Sequence, residues 1–110
     1  MTPIRSERKQ PSFARMTKVL TEPSLPLKAN ERLVALVMFQ FVDTKTMTCY
    51  PSVDTIGRRS KVGRHTVART IKKLESAGLV VVRKQRASGR FEKNVYDFSE
   101  VRNRVNRVSA

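Results

Sequence analysis

The sequence predicts an α+β fold in which three short helices are followed by a β-hairpin and a further C-terminal helix. Three observations predict it. Apolar residues recur at helical spacing in three successive segments between about Ala29 and Ala77. The strand-like run Leu79-Val80-Val81-Val82 then returns through Phe91, Val95, Tyr96 and Phe98 across a polar stretch that contains Gly89. Basic residues, finally, gather on the third helix and the hairpin.

Residues 1–12 are polar, basic and proline-containing, and read as a flexible arm. Residues 13–26 mix apolar and turn residues, and are expected to dock on the domain without a long regular element. From about Ala29 to Val42 the residues Leu33, Leu36, Val37, Phe39, Phe41 and Val42 cover most of a helix. Its start lies at Ala29 or Asn30, and Glu31 in its first turn is favoured by the helix dipole. Residues 43–51 read as a loop.

Ser52, after Pro51, is placed to cap a second helix running to about Arg59 and buried through Val53 and Ile56. A third helix spans about Arg64 to Ala77, with Val67, Ile71 and Leu74 on one face. Gly78 reads as the left-handed residue that stops it, with Leu79 folding back on the helix. Gln85–Arg90 is the expected hairpin loop. Ser99 opens a last segment, 99–110, whose Val101, Val105 and Val108 share a helical face. That face either packs on the helix over 29–42 or forms a homodimer contact.

Charge bears on partners rather than on fold. The chain of 110 residues carries 23 Lys and Arg against 9 Asp and Glu, a formal net charge of +14. Between residues 58 and 93 there are twelve bases and two acids, so ten of the fourteen net charges lie in a third of the chain. Residues 21–57 hold three bases and four acids by comparison. Such confinement marks a functional face and points to nucleic acid.

With Ile71 as the centre of the buried face, Thr66, Arg69 and Lys73 point away from the core. His65 and Lys72 flank them, and Arg64 stands at the N-terminal end. A major groove accepts one helix whose other face is buried on a scaffold, and arginine pairs with guanine through two hydrogen bonds. The hairpin adds Arg83, Lys84, Arg86, Arg90 and Lys93, suited to phosphate or a minor groove.

Taken together, Tyr50-Pro51-Ser52-Val53-Asp54-Thr55-Ile56, Val62, Thr66-Val67, Ile71 to Val80, Gly89-Arg90 and Asn94-Val95-Tyr96 carry a resemblance. They closely resemble the winged helix-turn-helix domains of phage and plasmid proteins, found in replication initiators and as small regulators. Leu20 to Leu25 also looks like that group, so the resemblance covers about residues 13–98. It implies a three-helix core, a two-stranded wing, and double-stranded DNA as partner. In three places the chain departs from the pattern. Lys61 stands where the family usually has glycine, Ser60 where it has an apolar residue, and Gly63 where a Ser or Thr caps the recognition helix.

Other classes are disfavoured by what the sequence holds. The single histidine, His65, has no Cys or carboxylate cluster near it, so neither a metal site nor catalysis is expected. No cofactor, small-molecule ligand or enzyme activity is expected either, because no nucleophile–base pair stands at a usable spacing. Cys49, the one cysteine, reads as a half-buried loop residue, and Tyr96 and Phe98 as core under the wing. The longest apolar run, Leu33–Phe39, is too short for a membrane, and the cytoplasm is the expected compartment. An RNA-binding protein of this size would show exposed sheet aromatics or a GXXG loop, and neither is seen. The expected function is site-specific DNA binding, as a transcriptional regulator or accessory factor of a mobile element. The rival is a replication-origin or segregation protein.

Overall fold

A computed structural model of the chain describes residues 10–87 and 91–109. Residues 1–9 of the expected arm over 1–12, and the loop residues 88–90 with Arg90, lie outside the described residues. The described residues form helices α1 (Phe13–Leu20), α2 (Ala29–Phe39), α3 (Val53–Ser60), α4 (Arg64–Ser76) and α5 (Ser99–Ser109). Strands β1 (Thr48–Cys49), β2 (Val81–Ala87) and β3 (Phe91–Asp97) make an antiparallel sheet in the order β1-β3-β2.

The segment before α2 is more regular than its sequence suggests. Ser12 Oγ accepts the Arg15 N–H at 3.1 Å and starts α1, which buries Met16 and Leu20 one turn apart. The Phe13 ring rests 5.1 Å from that of Phe39. The linker to α2 is held by Arg32, whose guanidinium donates to the carbonyls of Glu22 and Leu25.

At the centre of the core, α2 buries Val34, Ala35, Val37, Met38 and Phe39. It ends three residues before the expected Val42, in turns closed by Phe41 N–H to Met38 O and Val42 N–H to Phe39 O. Leu33 is 45 % exposed and Phe41 is exposed too, so two of the expected core residues lie at the surface. The stripe that packs is displaced toward Val34 and Met38, and both α3 and α4 pack on this helix.

The expected loop 43–51 contains a strand. Asp43 and Thr48 form a bridge, Met47 turns at φ 59°, and Thr48 and Cys49 then pair with Asp97 and Tyr96. The wing sheet therefore has three strands rather than two. Cys49 is fully buried beneath it, not half-buried, and its thiol is pushed up to about 12 by desolvation. Tyr96 and Phe98 are core residues, as expected, with the Phe98 ring edge-on to Phe39 at 5.5 Å.

Between α3 and α4 the chain turns at Lys61, which takes φ 61° and ψ 40° without the freedom of glycine. The turn is tight: a Cβ on Gly57 would meet Val62 O at 2.9 Å. Ser60, the neighbouring departure, is buried with its hydroxyl unpartnered among the described residues. At the far end of α4, Gly78 is left-handed (φ 77°), its N–H reaching Glu75 O and the Leu79 N–H reaching Leu74 O. This is the helix stop expected from the sequence.

Helix α5 packs mainly on α1 rather than on α2, and buries Val101 and Val105 while Val108 is 86 % exposed. The group capping its start is the carboxylate of Asp97, which accepts the Ser99 N–H at 2.8 Å, rather than the Ser99 hydroxyl. No described helix is long and apolar enough to cross a membrane.

Candidate nucleic-acid interface

The candidate surface starts with how α4 is buried. Val67, Thr70, Ile71 and Leu74 face the core. Thr70 is fully buried because its hydroxyl donates to Thr66 O at 2.7 Å, which removes the cost of an unpaired polar group. A buried Thr70 shifts the centre of the inward face away from Ile71, and the helix is rotated relative to the sequence expectation. Thr66 and Lys73 are turned to the side and half-buried, which corrects their placement on the outer face. His65, Ala68, Arg69, Lys72 and Ser76 form the outward stripe, with Arg64 exposed at the start.

Among the described residues, three ion pairs tie this helix to the scaffold. Arg64 pairs with Asp54 of α3, both at the surface. Arg69 and Lys73 converge on Glu31 of α2, whose side chain has no exposed surface. Arg69 Nε donates to Glu31 Oε2 at 2.7 Å, and Lys73 Nζ to Oε1 at 2.9 Å. The Lys28 N–H also donates to Oε1, at 2.8 Å. Burial by itself would raise the carboxyl pKa. Hydrogen bonds from Arg69, Lys28 and Lys73, with the charge of Lys73, outweigh burial and bring it to about 2. In the sequence Glu31 reads only as a helix-dipole residue; its partners lie 38 and 42 positions away.

In the wing, Val82 pairs with Tyr96, Lys84 with Asn94 and Arg86 with Glu92, so Val82, Lys84 and Arg86 follow one face. Arg83 lies on the other face, opposite Val95, and pairs with Asp97 at 2.6 Å. Desolvation of Asp97 is outweighed by its bonds from Ser99 and Arg83, and its pKa is lowered. Arg83, Lys84 and Arg86 are exposed, while Lys93 is half-buried. The Lys93 ammonium sits 3.9 Å from the centre of the exposed Tyr50 ring. Tyr50, Ser52, Lys84, Lys93 and Asn94 line a cleft between the wing and the start of α3. Sequence reasoning did not single out Tyr50 as a site residue, because β1 is what brings it to the wing.

Helix, strand, two helices and hairpin in this order define a winged helix-turn-helix, with α4 as the recognition helix. The helix-turn-helix domain family matches residues 25–80, half of the chain, and the protein belongs to it. This is a class of double-stranded DNA-binding folds. Among solved structures, the chain is similar to a "possible transcriptional regulator" from Methanosarcina mazei Go1. That likeness has a TM-score of 0.53 at 19% identity and covers 84% of this chain and 75% of the other. It bears on the fold. No curated protein matches the sequence.

Proposed function

We propose that the protein binds a specific double-stranded DNA site and regulates transcription there, or serves a mobile element as an accessory factor. The observation that carries this reading is the outward stripe of α4. His65, Arg69 and Lys72 project from a helix whose other face is locked in the core, at the spacing one major groove admits. Arg64 and the half-buried Thr66 border the stripe on the side of the phosphates, whereas Lys73 is held on Glu31. Arg83, Lys84, Arg86, Arg90 and Lys93 of the wing bind backbone or minor groove beside it. The similar structure from Methanosarcina mazei Go1 is called a possible transcriptional regulator, which accords with this reading.

Selection of bound DNA from a random duplex pool tests it. A defined motif is the expected result, palindromic if copies bind as pairs and tandem if they line up along a repeat. Affinity for that motif should fall about 10³–10⁵-fold between 50 and 200 mM salt if on the order of 6–10 phosphates are contacted. Enrichment of no motif, or tighter binding to structured RNA than to the duplex, overturns the reading.

A further inference from the structure

The buried carboxylate of Glu31 lies outside any surface that DNA would touch, yet it holds two cations of the recognition helix. A carboxylate without exposed surface is costly unless its oxygens are fully bonded, and here three donors meet it. The contact could have been made by either edge of the Arg69 guanidinium, and it is Nε that is used. A guanidinium has five N–H donors in a rigid plane. With Nε donating to Glu31, the terminal Nη pair is the other edge of that plane. That pair is the fork that fits guanine O6 and N7. Arg69 keeps 45% of its side chain exposed, whereas Glu31 keeps none.

We infer that Glu31 is a positioning residue for DNA recognition: it fixes the plane of Arg69 in the free protein so that the terminal nitrogens face the groove. It has a second effect through Lys73. That ammonium is held half-buried against α2, so it is withheld from the DNA backbone and cannot add indiscriminate phosphate attraction. One buried acid thus raises discrimination twice, by orienting a base reader and by restraining a neighbouring charge. The inference rests on the reading of α4 as the groove-facing helix.

The test is Glu31→Gln, which keeps the size of the side chain and removes its charge. Binding is measured to the selected site and to a scrambled duplex, alone and in an Arg69→Ala background. Glu31→Gln is expected to lower the ratio of the two affinities about tenfold, the scale of one bidentate base contact. The scrambled duplex should bind no more weakly, with a salt slope steeper by up to about one unit as Lys73 is released. In the Arg69→Ala background the same change should lower the ratio much less, because only the release of Lys73 remains. A ratio cancels any loss of folded protein, so a merely structural role would leave it unmoved. A Glu31→Gln protein with the wild-type ratio overturns the inference. If that variant does not melt cooperatively, wild-type protein decides by NMR. The Arg69 Nε proton must stay protected from exchange in the DNA complex, and rapid exchange there overturns the inference. Arg69→Ala protein with unaltered discrimination would instead refute the α4 reading itself, and the inference with it.

Discussion

Arg104 of α5 donates an Nη2–H to the carbonyl oxygen of Ala77, at 2.9 Å, so the last helix is bonded to the end of the recognition helix. The same guanidinium pairs through Nε with Glu100 one turn earlier, at 3.2 Å. Hydrogen bonds from Arg107 and Arg104 lower the Glu100 pKa. A cation at the C-terminus of α4 meets the negative end of its dipole and satisfies a carbonyl the helix leaves open. Arg104→Ala should therefore destabilise the fold by about 1–2 kcal/mol. Thermal melting checks this, and an unchanged Tm would show that α5 is not bonded to α4 in solution.

The turn before α4 offers the opposite outcome. A left-handed Lys61 costs roughly 1–2 kcal/mol that glycine would not incur, partly offset by the greater freedom of glycine in the unfolded chain. Lys61→Gly should accordingly raise stability by up to about 1 kcal/mol. It also removes one exposed charge beside α4, so the salt slope of DNA binding should fall by no more than about one unit. Denaturant melts with and without the change decide the matter: a loss of stability would mean the turn is not left-handed at Lys61.

What the sequence made legible was local. Ser52 before Val53, and Gly78 followed by Leu79, announce helix ends through bonds that reach only three to five residues, and both stand as expected. Strand β1 was hidden because two residues, Thr48 and Cys49, carry no period, and their partners Asp97 and Tyr96 are at the far end of the chain. Helix α1 was hidden for a similar reason, since only Met16 and Leu20 are buried in it. The rotation of α4 came from Thr70. A polar residue is expected outside, and only the Thr66 carbonyl, one turn earlier, makes its burial cheap.

Acid should weaken the fold through Glu31. Its folded pKa, about 2, lies below the ordinary 4.5. A depressed carboxyl contributes stability that is fully present above its unfolded value and is lost as pH falls toward the folded one. The loss attributable to Glu31 should thus develop between about pH 4.5 and pH 2. Melts of wild type and Glu31→Gln across that range give the test. Glu31→Gln should be the less stable of the two at neutral pH, with the gap narrowing as pH falls. A gap that widens toward acid would contradict the sign.

The rotation of α4 is testable on two adjacent lysines with the same charge. Lys72 stands on the outward stripe, and Lys73 is half-buried with its ammonium on Glu31. Replacing Lys72 by Ala removes an exposed group from the outward stripe and leaves the core intact, so the melt should stay within about 0.5 kcal/mol of wild type. Binding to specific and scrambled duplexes should both weaken, with the salt slope reduced by about one unit. Lys73→Ala should do the reverse. It removes one of three donors from a buried carboxylate and should cost on the order of 1–3 kcal/mol of stability. Its effect on DNA binding per folded molecule should be the smaller of the two, because its charge is already compensated. The measurements are denaturant melts and duplex titrations at several salt concentrations for each protein. Had the helix the phase centred on Ile71, Lys73 would be the phosphate contact and the two sets of results would be exchanged.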